Sequence, residues 1–470
     1  MSKYLYGASV QGIQDFIFAT NKLQEIVGAS EIVKSIADIF KKKYNPDEIL
    51  INTAGNIKAI FDTKEACQKV VLEFPKIISQ MAYGITISQA VVAFDGEAKD
   101  YINELEKRLK IQRNKPSIPL DISINIMKLN PKTARAKINQ DEDMATSQKL
   151  KANREFYKKN PTVTEFKDFS YMKNSKGKIA VIHIDGNGLG KIVKDLGEKL
   201  SAFSIELDKA TKKAVKDAKK DSMHIREVIV GGDDVTVICN ANDALAFTKN
   251  FLTNFEDETK RIKELEGIKD KLTACAGIAY CNEKYPFHYA VDLAETLCGV
   301  AKNHSNREHS CLMFHNIQGS HYQSWDKFVE DELTIRNDTQ TIRCDFGAYY
   351  LDKEDEANIS DFINTLEAYR CDNSPISRLR DWLSELYKSD KNAQNLLHRI
   401  NTITKQNDNW KCEIMNNNLK FFDKNLSNDT LIIEKHTQKE REEIKKNPDK
   451  AFKRTPIYDI LQILSITEAK

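Results

Sequence analysis

The segment VIVGGDDVTVICN, residues 228–240, decides how the rest of the chain is interpreted. Two runs rich in β-branched residues flank a Gly-Gly-Asp-Asp tetrapeptide, which predicts a strand, a tight turn and a second strand. Glycine and aspartate favour turns on conformational grounds alone, yet two adjacent carboxylates repel each other unless something neutralises them. The segment therefore indicates either a plain hairpin turn or a site where Asp233 and Asp234 bind a positively charged group.

A third aspartate lies at the end of another predicted strand. In AVIHIDGNGLGKIVKDL, residues 180–196, an apolar run ends at Asp185 and is followed by a glycine-rich turn and an amphipathic helix. After the hairpin come a helix from about Asp243, the strand LTACAGIAYC (272–281) and the helix HYAVDLAETLCGVAK (288–302). These elements predict one β-α-β-β-α-β unit, an antiparallel sheet backed by helices.

The first hundred residues repeat this order of elements. KYLYGASVQGIQDFIF (3–18) predicts a strand, loop and helix, ILINTAGNIKAIF (49–61) a hairpin, and YGITISQAVVAF (83–94) a strand between two helices. We therefore predict an α+β fold that contains two copies of a ferredoxin-like unit.

The two copies differ where the acids lie. From Ser9 to Gly55 is 46 residues and from Asp185 to Asp233 is 48, so the first loop and the hairpin tip have nearly equal separations in the two copies. The first copy has a serine and the uncharged tip Ala54–Asn56 at these positions. Chemistry is therefore expected in the second copy only.

Asp185, Asp233 and Asp234 are expected to converge, because the first strand of such a unit lies beside the hairpin. Carboxylate oxygens in this number select Mg²⁺ or Mn²⁺. Two such ions would lower the pKa of a 3′-hydroxyl and stabilise the charge on a transferring phosphate and a leaving pyrophosphate. We therefore predict that the three aspartates are metal ligands and catalytic residues.

Glycines and two lysines around these acids are predicted to bind a nucleotide. A glycine-rich loop that leads into a helix presents backbone N–H groups to an anion, and a lysine adds a point charge. The loop lacks the spacing of a P-loop or a dinucleotide fingerprint, so an ordinary strand-to-helix turn stays the alternative; a lysine at a helix C-terminus is likewise favoured by the helix dipole alone. The predicted set is Gly186, Asn187, Gly188, Gly190, Lys191, Gly231, Gly232 and Lys302.

The composition excludes several classes of protein. Lys and Arg number 71 against 69 Asp and Glu, so the chain is not a polycation for nucleic acid, and template-directed polymerisation on a duplex is disfavoured. Without a secretory leader or an eighteen-residue apolar run, we expect a cytoplasmic protein with no membrane contact. The nine cysteines are scattered and lack zinc-finger spacing, so no zinc is predicted.

At this point the motifs resemble a known family. SVQGIQDFIFATNKLQEIVGAS (9–30), HIDGNGLG, the Gly-Gly-Asp-Asp tip and AETLCGVAK together resemble the large polymerase-like subunit of type III CRISPR effector complexes, with its two adjacent palm domains, over roughly residues 1–330. The resemblance implies a nucleotidyltransferase that makes cyclic or short oligonucleotide messengers from nucleoside triphosphates, typically ATP, in antiviral defence. It also implies that Asp185, Asp233 and Asp234 are the metal ligands and that Lys302 contacts phosphate.

The sequence departs from that family in two ways. It begins at the first palm and contains no His-Asp dipeptide, so the DNA-cutting HD nuclease of many such subunits is not expected. Residues 114–172 contain no cysteine, so the zinc site often found between the palms is not expected either. Whether the protein is free-standing or joins an RNA-guided complex, with RNA or a defence-complex protein as partner, stays open.

Four regions are predicted. Residues 1–113 form a degenerate palm-like domain, 114–172 a partly helical linker or insertion, 173–325 the catalytic palm and 326–470 a helical C-terminal domain.

A more distant resemblance is to the palm domains of diguanylate cyclases. Their guanine-reading Asn and Asp lie about eight and seventeen residues beyond the first metal aspartate, where this sequence has Val193 and Ala202, so guanine is disfavoured.

The rival hypothesis is a nucleotide- or RNA-binding scaffold without turnover. The degenerate palm either supplies one wall of a composite pocket or only buries sheet surface, and a homodimer is the other way to bring two nucleotides to one centre.

Overall fold

The computed structural model describes residues 3–468 with some gaps. Residues outside the description are 1–2, 54, 116–125, 140, 164–165, 167, 197–198, 320–323, 338–339, 372–373, 407–418, 421, 428 and 469–470. Ala54 of the first hairpin tip is among them.

The first copy forms a four-stranded antiparallel sheet with helices packed against it. The elements are β1 (Lys3–Gln11), α1 (Ile13–Phe18), α2 (Leu23–Tyr44), β2 (Glu48–Asn52), β3 (Asn56–Phe61), α3 (Lys64–Met81), β4 (Thr86–Phe94) and α4 (Ile102–Arg113). The strand order is β2-β3-β1-β4, so the first strand lies beside the hairpin, as predicted.

One further helix, α5 (Met144–Lys159), lies between the two copies in sequence and packs on α2. Asp143 caps it by accepting a hydrogen bond from the Thr146 N–H. The two helices touch at Gly28, where an added Cβ would lie 1.7 Å from the carbonyl oxygen of Lys149. Helix α5 is therefore in direct contact with the backbone of the first palm.

The second copy repeats the first. Its four strands have the order β8-β5-β7-β6, which is the order β4-β1-β3-β2 of the first copy, and the predicted duplication and α+β class are confirmed. The elements are β5 (Lys178–Gly186), α6 (Leu189–Leu196), α7 (Leu200–Ala218), β6 (Ile225–Gly231), β7 (Asp234–Asn240), α8 (Ala244–Thr259), β8 (Ala274–Asn282) and α9 (Phe287–His304). A fifth strand, β9 (Cys311–Asn316), adds to this sheet parallel to β8.

The remaining residues are mostly helical, as predicted, but they also contain short strands. β12 extends the second sheet, and β10, β11 and β13 form a small sheet of their own. Strands of two or three residues have no detectable period, so the sequence did not predict them. The elements are α10 (Trp325–Glu332), β10 (Thr334–Arg336), β11 (Thr341–Arg343), β12 (Tyr349–Tyr350), α11 (Ile359–Tyr369), α12 (Ile376–Leu386), α13 (Asp390–Gln406), α14 (Gln438–Lys446), β13 (Lys453–Arg454) and α15 (Ile457–Ile466).

The two palms pack on each other reciprocally. Helix α2 of the first contacts β6 of the second, while α7 of the second contacts β2 of the first. The Ser30 hydroxyl donates to the carbonyl oxygen of Val228, and the Ser201 hydroxyl donates to that of Ile49 at 2.8 Å. This packing brings the loop after β1 close to the hairpin that carries the adjacent aspartates.

The boundaries predicted at residues 113, 172 and 325 stay predictions. Across the described residues, no helix combines the length and the apolar character that a membrane crossing requires.

Candidate active site

The Gly-Gly-Asp-Asp turn is a two-residue hairpin loop. Gly231 pairs directly with Asp234, which leaves Gly232 and Asp233 as the loop residues. Gly232 has φ +62° while Asp233 does not have a positive φ, which is the combination found in type II′ turns and favours glycine at the first loop position. Helix α7 anchors the loop, because the Thr211 hydroxyl donates to the carbonyl oxygen of Gly232 at 2.5 Å.

Two of the predicted acids lie side by side on neighbouring strands of the sheet. Asp185, next to last in β5, pairs in register with Asp234, the first residue of β7. Asp233 lies beside them, and its carbonyl oxygen accepts a hydrogen bond from the Gly186 N–H at 3.2 Å. The equivalent pair in the first palm is Ser9 and Asn56, so the structure aligns the uncharged positions with the charged ones.

Burial and neighbouring negative charge raise the pKa of two of these carboxyl groups. Burial, with the neighbouring charge of Asp185, raises the pKa of Asp233 to about 6. Burial and the charges of Asp185 and Asp233 raise the pKa of Asp234 to about 8. The Asp234 side chain is 42% exposed as a whole, but its Oδ1 atom is buried and has no hydrogen-bond partner in the described part of the chain. Three ionised carboxylates at this position would therefore need additional positive charge to balance them.

Lys302 supplies part of the compensation. Its ammonium group is almost fully buried and donates to Asp185 Oδ2 at 2.5 Å and to the carbonyl oxygen of Gly186 at 2.8 Å. The structure thus places this lysine, predicted to contact phosphate, on a carboxylate at the end of β5.

His183 forms the floor beneath the acids. It lies two residues before Asp185 and therefore on the same sheet face. Its Nδ1 is 3.1 Å from the hydroxyl of Thr236 and 3.6 Å from Asp234 Oδ1, and burial lowers its pKa to about 4. The ring is thus neutral near pH 7.

The glycine-rich loop divides into an inward and an outward part. The side chain of Asn187 is fully buried, and its amide donates to Thr273 Oγ1 at 3.1 Å and to the carbonyl oxygen of His309 at 3.3 Å. In this arrangement the Asn187 side chain anchors the loop, and its contact with a nucleotide stays a prediction. In contrast, an added Cβ at Gly188 or Gly190 would meet no atom within 4 Å, so this side of the loop is open.

Beyond the open side, α6 begins at Leu189, and Lys191 on its first turn is exposed. The N–H groups of the first residues of a helix have no partners within it and attract anions. This helix end, with its lysine, can therefore bind phosphate.

A cavity of about 520 Å³ joins the two palms at the hairpin. The second palm contributes residues 228–234, which include Gly231 and Gly232. The first palm contributes the loop and helix that follow β1, with Gln14 and Asp15, the Ser30 and Lys34 side chains of α2, and the hairpin residues Thr53 and Gly55. The degenerate palm thus forms one wall of the space above the acids.

Two residues of this site were missed from the sequence. The amide of Gln14 in α1 donates to Glu295 Oε1 in α9 at 2.6 Å and so links the two palms. Burial, with the charge of Asp292, raises the pKa of Glu295 to about 7. Glu295 is seven residues before Lys302, two helical turns away, and this spacing was the signal available in the sequence.

The donor set fits a divalent cation in part. In the described ranges, no three His, Cys, Asp or Glu side chains are arranged around a common point. Mg²⁺, however, is usually bound by one or two carboxylates together with substrate phosphates. The pair Asp185 and Asp234, with an unpartnered buried oxygen, suits an ion that arrives with a triphosphate.

Comparison by sequence identifies the second palm. Residues 178–311 match the family model described as Cas10/Cmr2, second palm domain. This range runs from β5 to the first residue of β9 and includes all three aspartates. No curated protein matches the sequence.

Comparison by structure extends the likeness to the whole chain. A Csm1–Csm4 subcomplex of the type III-A CRISPR-Csm interference complex matches with a TM-score of 0.57 at 13% identity. Csm1–Csm4 cassettes in complex with pppApA and with cA4 match with TM-scores of 0.56 and 0.53, at 13% and 12% identity. Each match covers 99% of this chain and 69% of the other.

The resemblance inferred from the motifs is therefore confirmed. The chain is Cas10-like: residues 178–311 match the second palm of Cas10/Cmr2 in sequence, and the chain as a whole shares the fold of the Csm1 subunit of type III CRISPR complexes.

Proposed function

We propose that the protein is a metal-dependent nucleotidyltransferase that joins nucleoside triphosphates, ATP above all, into cyclic or short oligonucleotide messengers in CRISPR-like antiviral defence. The observation that carries the proposal is the pairing of Asp185 with Asp234, which with Asp233 lines a cavity shared by both palms. The neighbouring carboxylates have only Lys302 as a positive partner and lie beside a cavity large enough for a nucleotide. Such a site suits the transfer of a nucleotidyl group.

In this reaction, the 3′-hydroxyl oxygen of one nucleotide attacks the α-phosphorus of another, the bond to pyrophosphate breaks, and the hydroxyl loses its proton. The open side of the loop after β5 and the first turn of α6 would hold the triphosphate. The wall that contains Gln14, Ser30 and Lys34 would hold the attacking nucleotide. Holding both partners beside the same aspartates would supply much of the rate enhancement.

Asp185, Asp233 and Asp234 would hold two Mg²⁺ or Mn²⁺ ions with the triphosphate. Such ions lower the pKa of the attacking hydroxyl and stabilise the charge that develops on phosphate. Asp234 brings an unpartnered buried oxygen to this task, while Lys302 holds Asp185 in place.

Adenine is favoured by the structures that share the fold. The matching Csm1–Csm4 cassettes are in complex with pppApA and cA4. By analogy, a Csm4-like protein is the partner that we propose for this chain, and RNA is the alternative partner. If the first palm does not hold the attacking nucleotide, a second copy of the chain in a homodimer would have to supply that site.

The test is product analysis by mass spectrometry after incubation with each triphosphate and Mg²⁺ or Mn²⁺. We expect pyrophosphate and new 3′-linked oligonucleotides from ATP, and neither from an Asp233→Ala, Asp234→Ala variant. Equal turnover by that variant would reject the assignment.

A scaffold without turnover is the second candidate. The ammonium of Lys302 sits on Asp185, where it neutralises one acid without any metal ion. If calorimetry shows nucleotide binding while no pyrophosphate is released with either ion, or with an added partner protein or RNA, the scaffold is favoured.

A further inference from the structure

Two cysteines lie side by side near the loop that follows β5. Cys275 is the second residue of β8 and Cys311 is the first residue of β9, and the two are partners in the parallel pairing of these strands. Both are fully buried free thiols, and their sulfur atoms are 3.5 Å apart. We call these two residues the thiol pair. The proposed nucleotidyl transfer uses neither of them.

The backbone around the thiol pair has the geometry that a disulfide needs. Neighbouring strands of a sheet lie about 4.8 Å apart, and the Cα atoms of most disulfides are about 4.4–6.8 Å apart. Side chains at paired positions of two strands point to the same face of the sheet. Because a disulfide bond is about 2.05 Å long, the two sulfur atoms would have to approach by only about 1.5 Å.

The two sulfur atoms have different surroundings. Cys275 Sγ accepts a hydrogen bond from the side-chain amide of Asn187 at 3.4 Å, and a donor beside a sulfur favours its nucleophilic thiolate form. Cys311 Sγ instead donates to the carbonyl oxygen of Ala301 at 3.3 Å, which favours the protonated thiol. This arrangement makes Cys275 the nucleophile of the pair and Cys311 the second, resolving thiol.

The thiol pair adjoins the candidate active site on two sides. Cys275 pairs across β8 and β5 with Asp185, the first of the three acids. Asn187, which donates to Cys275, belongs to the loop that follows β5. On the other side, Ala301 precedes Lys302, whose ammonium group donates to Asp185. A chemical change at the two sulfur atoms therefore acts on residues that hold the acidic centre in place.

From this geometry we propose that the thiol pair is an oxidation site, at which hydrogen peroxide forms a disulfide between Cys275 and Cys311, and that this bond loosens the loop after β5. Because both thiols are buried, the oxidant has to be small and uncharged, as hydrogen peroxide is. Formation of the bond does not depend on the proposed function, whereas its effect on catalysis rests on that function.

The oxidation takes place in two steps. The thiolate of Cys275 attacks one oxygen of hydrogen peroxide, so that an S–O bond forms, the O–O bond breaks, and hydroxide leaves and takes up the proton lost by the thiol. Cys311 then attacks the sulfur of the resulting sulfenic acid, the S–S bond forms, and the S–O bond breaks as water leaves with the proton of Cys311. In total, two thiols and one hydrogen peroxide give one disulfide and two waters.

The disulfide would weaken the anchoring of the loop. The Asn187 amide has three acceptors, which are Cys275 Sγ, Thr273 Oγ1 and the carbonyl oxygen of His309. Oxidation removes the first of them, because a disulfide sulfur carries no charge and is a weak acceptor. Loss of one such hydrogen bond should make the backbone amide hydrogens of residues 186–190 exchange about fivefold faster in the oxidised protein.

The test is peptide mapping of the full chain after graded exposure to hydrogen peroxide, with free thiols alkylated in denaturant before digestion. We expect a linked pair of peptides that contains Cys275 and Cys311, has lost two hydrogen atoms, and separates again after treatment with dithiothreitol. The exposed Cys371 shows that the oxidant has acted. Cys281, which is buried at the other end of β8, is the matched control and should stay reduced.

Three results of the mapping would overturn the proposal. The first is that Cys275 and Cys311 are still free thiols when Cys371 has been oxidised. The second is a link from Cys275 to another cysteine. The third is oxidation of Cys281 at the same rate, because the thiol pair would then react only in unfolded protein.

Hydrogen exchange and pyrophosphate release test the effect of the bond. Exchange at residues 186–190 should become faster on oxidation of the wild type and should not change in a Cys275→Ser variant; equal exchange before and after oxidation would overturn the effect on the loop. Pyrophosphate release by the wild type should fall roughly threefold or more and recover with dithiothreitol. An unchanged rate with the disulfide formed would overturn the effect on catalysis. Absence of turnover in the reduced protein would instead reject the proposed function, and mapping and exchange would still decide on the disulfide.

Discussion

Replacing Gly186 by alanine should damage the acidic centre through contact alone. An added Cβ would lie 2.7 Å from Leu189 Cδ1 and 2.8 Å from Asp233 Cβ. Carbon atoms pack at about 3.5–4.0 Å, so Asp233 would have to retreat by roughly 0.7 Å or more. Overpacking of this kind costs about 1–3 kcal/mol of unfolding free energy. Since a shift of about 1 Å in an active site can cost about 100-fold in rate, we expect pyrophosphate release to fall by at least tenfold.

Chemical denaturation and a continuous pyrophosphate assay measure the two effects. Gly190→Ala is the control for stability, because its Cβ would meet no atom within 4 Å. That variant should be as stable as the wild type or gain up to about 1 kcal/mol. A Gly186→Ala protein with wild-type stability and wild-type rate would refute the claim that the loop and the hairpin are in close contact.

Three further predictions concern stability, each measured by denaturation. Gly232→Ala should lose about 1–2 kcal/mol, because alanine is strained at φ +62°; an unchanged midpoint would contradict this. Burial tends to raise the pKa of Glu440, but Arg454 outweighs burial and lowers it from 4.5 to about 2. Because this pKa is lowered, the ionised Glu440 stabilises the folded protein above pH 4.5. The unfolding free energy of the wild type should therefore fall by on the order of 3 kcal/mol between pH 5 and pH 2, and that of Glu440→Gln should not show this fall. Parallel plots of unfolding free energy against pH for the two proteins would contradict the prediction. Burial raises the pKa of Asp459 from 3.8 to about 7, so the carboxyl group destabilises the fold as it ionises with rising pH. The unfolding free energy of the wild type relative to Asp459→Asn should therefore fall by on the order of 4 kcal/mol between pH 3 and pH 8. A difference between the two proteins that does not change with pH would contradict this prediction.

The fold of both palms could be predicted because the pattern of each element is strong. The run that ends at Asp185 is apolar and is followed by glycine, and the runs on either side of the Gly-Gly-Asp-Asp turn are rich in β-branched residues, so strand, turn and strand follow from local chemistry. The repeat supported the topology, since the same strands and helices recur in one order, and the paired positions Ser9 with Asn56 and Asp185 with Asp234 are equivalent in the structure.

The rest depends on contacts between distant residues. Nothing local in the sequence shows that Asn187 points inward, because its partners Thr273 and His309 lie on other elements. The link from Gln14 to Glu295 joins residues 281 apart in sequence. Lys302 was predicted as a phosphate contact from the resemblance, and only the packing of α9 against β5 places it on Asp185.

Binding of Mn²⁺ in the presence of a non-hydrolysable ATP analogue tests the central claim most directly. Electron paramagnetic resonance counts the bound ions, and Asp185→Asn with Asp234→Asn keeps the shape of the site while removing its charge. We predict two tightly bound ions per chain in the wild type and neither in the double variant. Equal Mn²⁺ binding by the two proteins, or none by the wild type, would contradict the claim that these aspartates bind metal for nucleotide transfer.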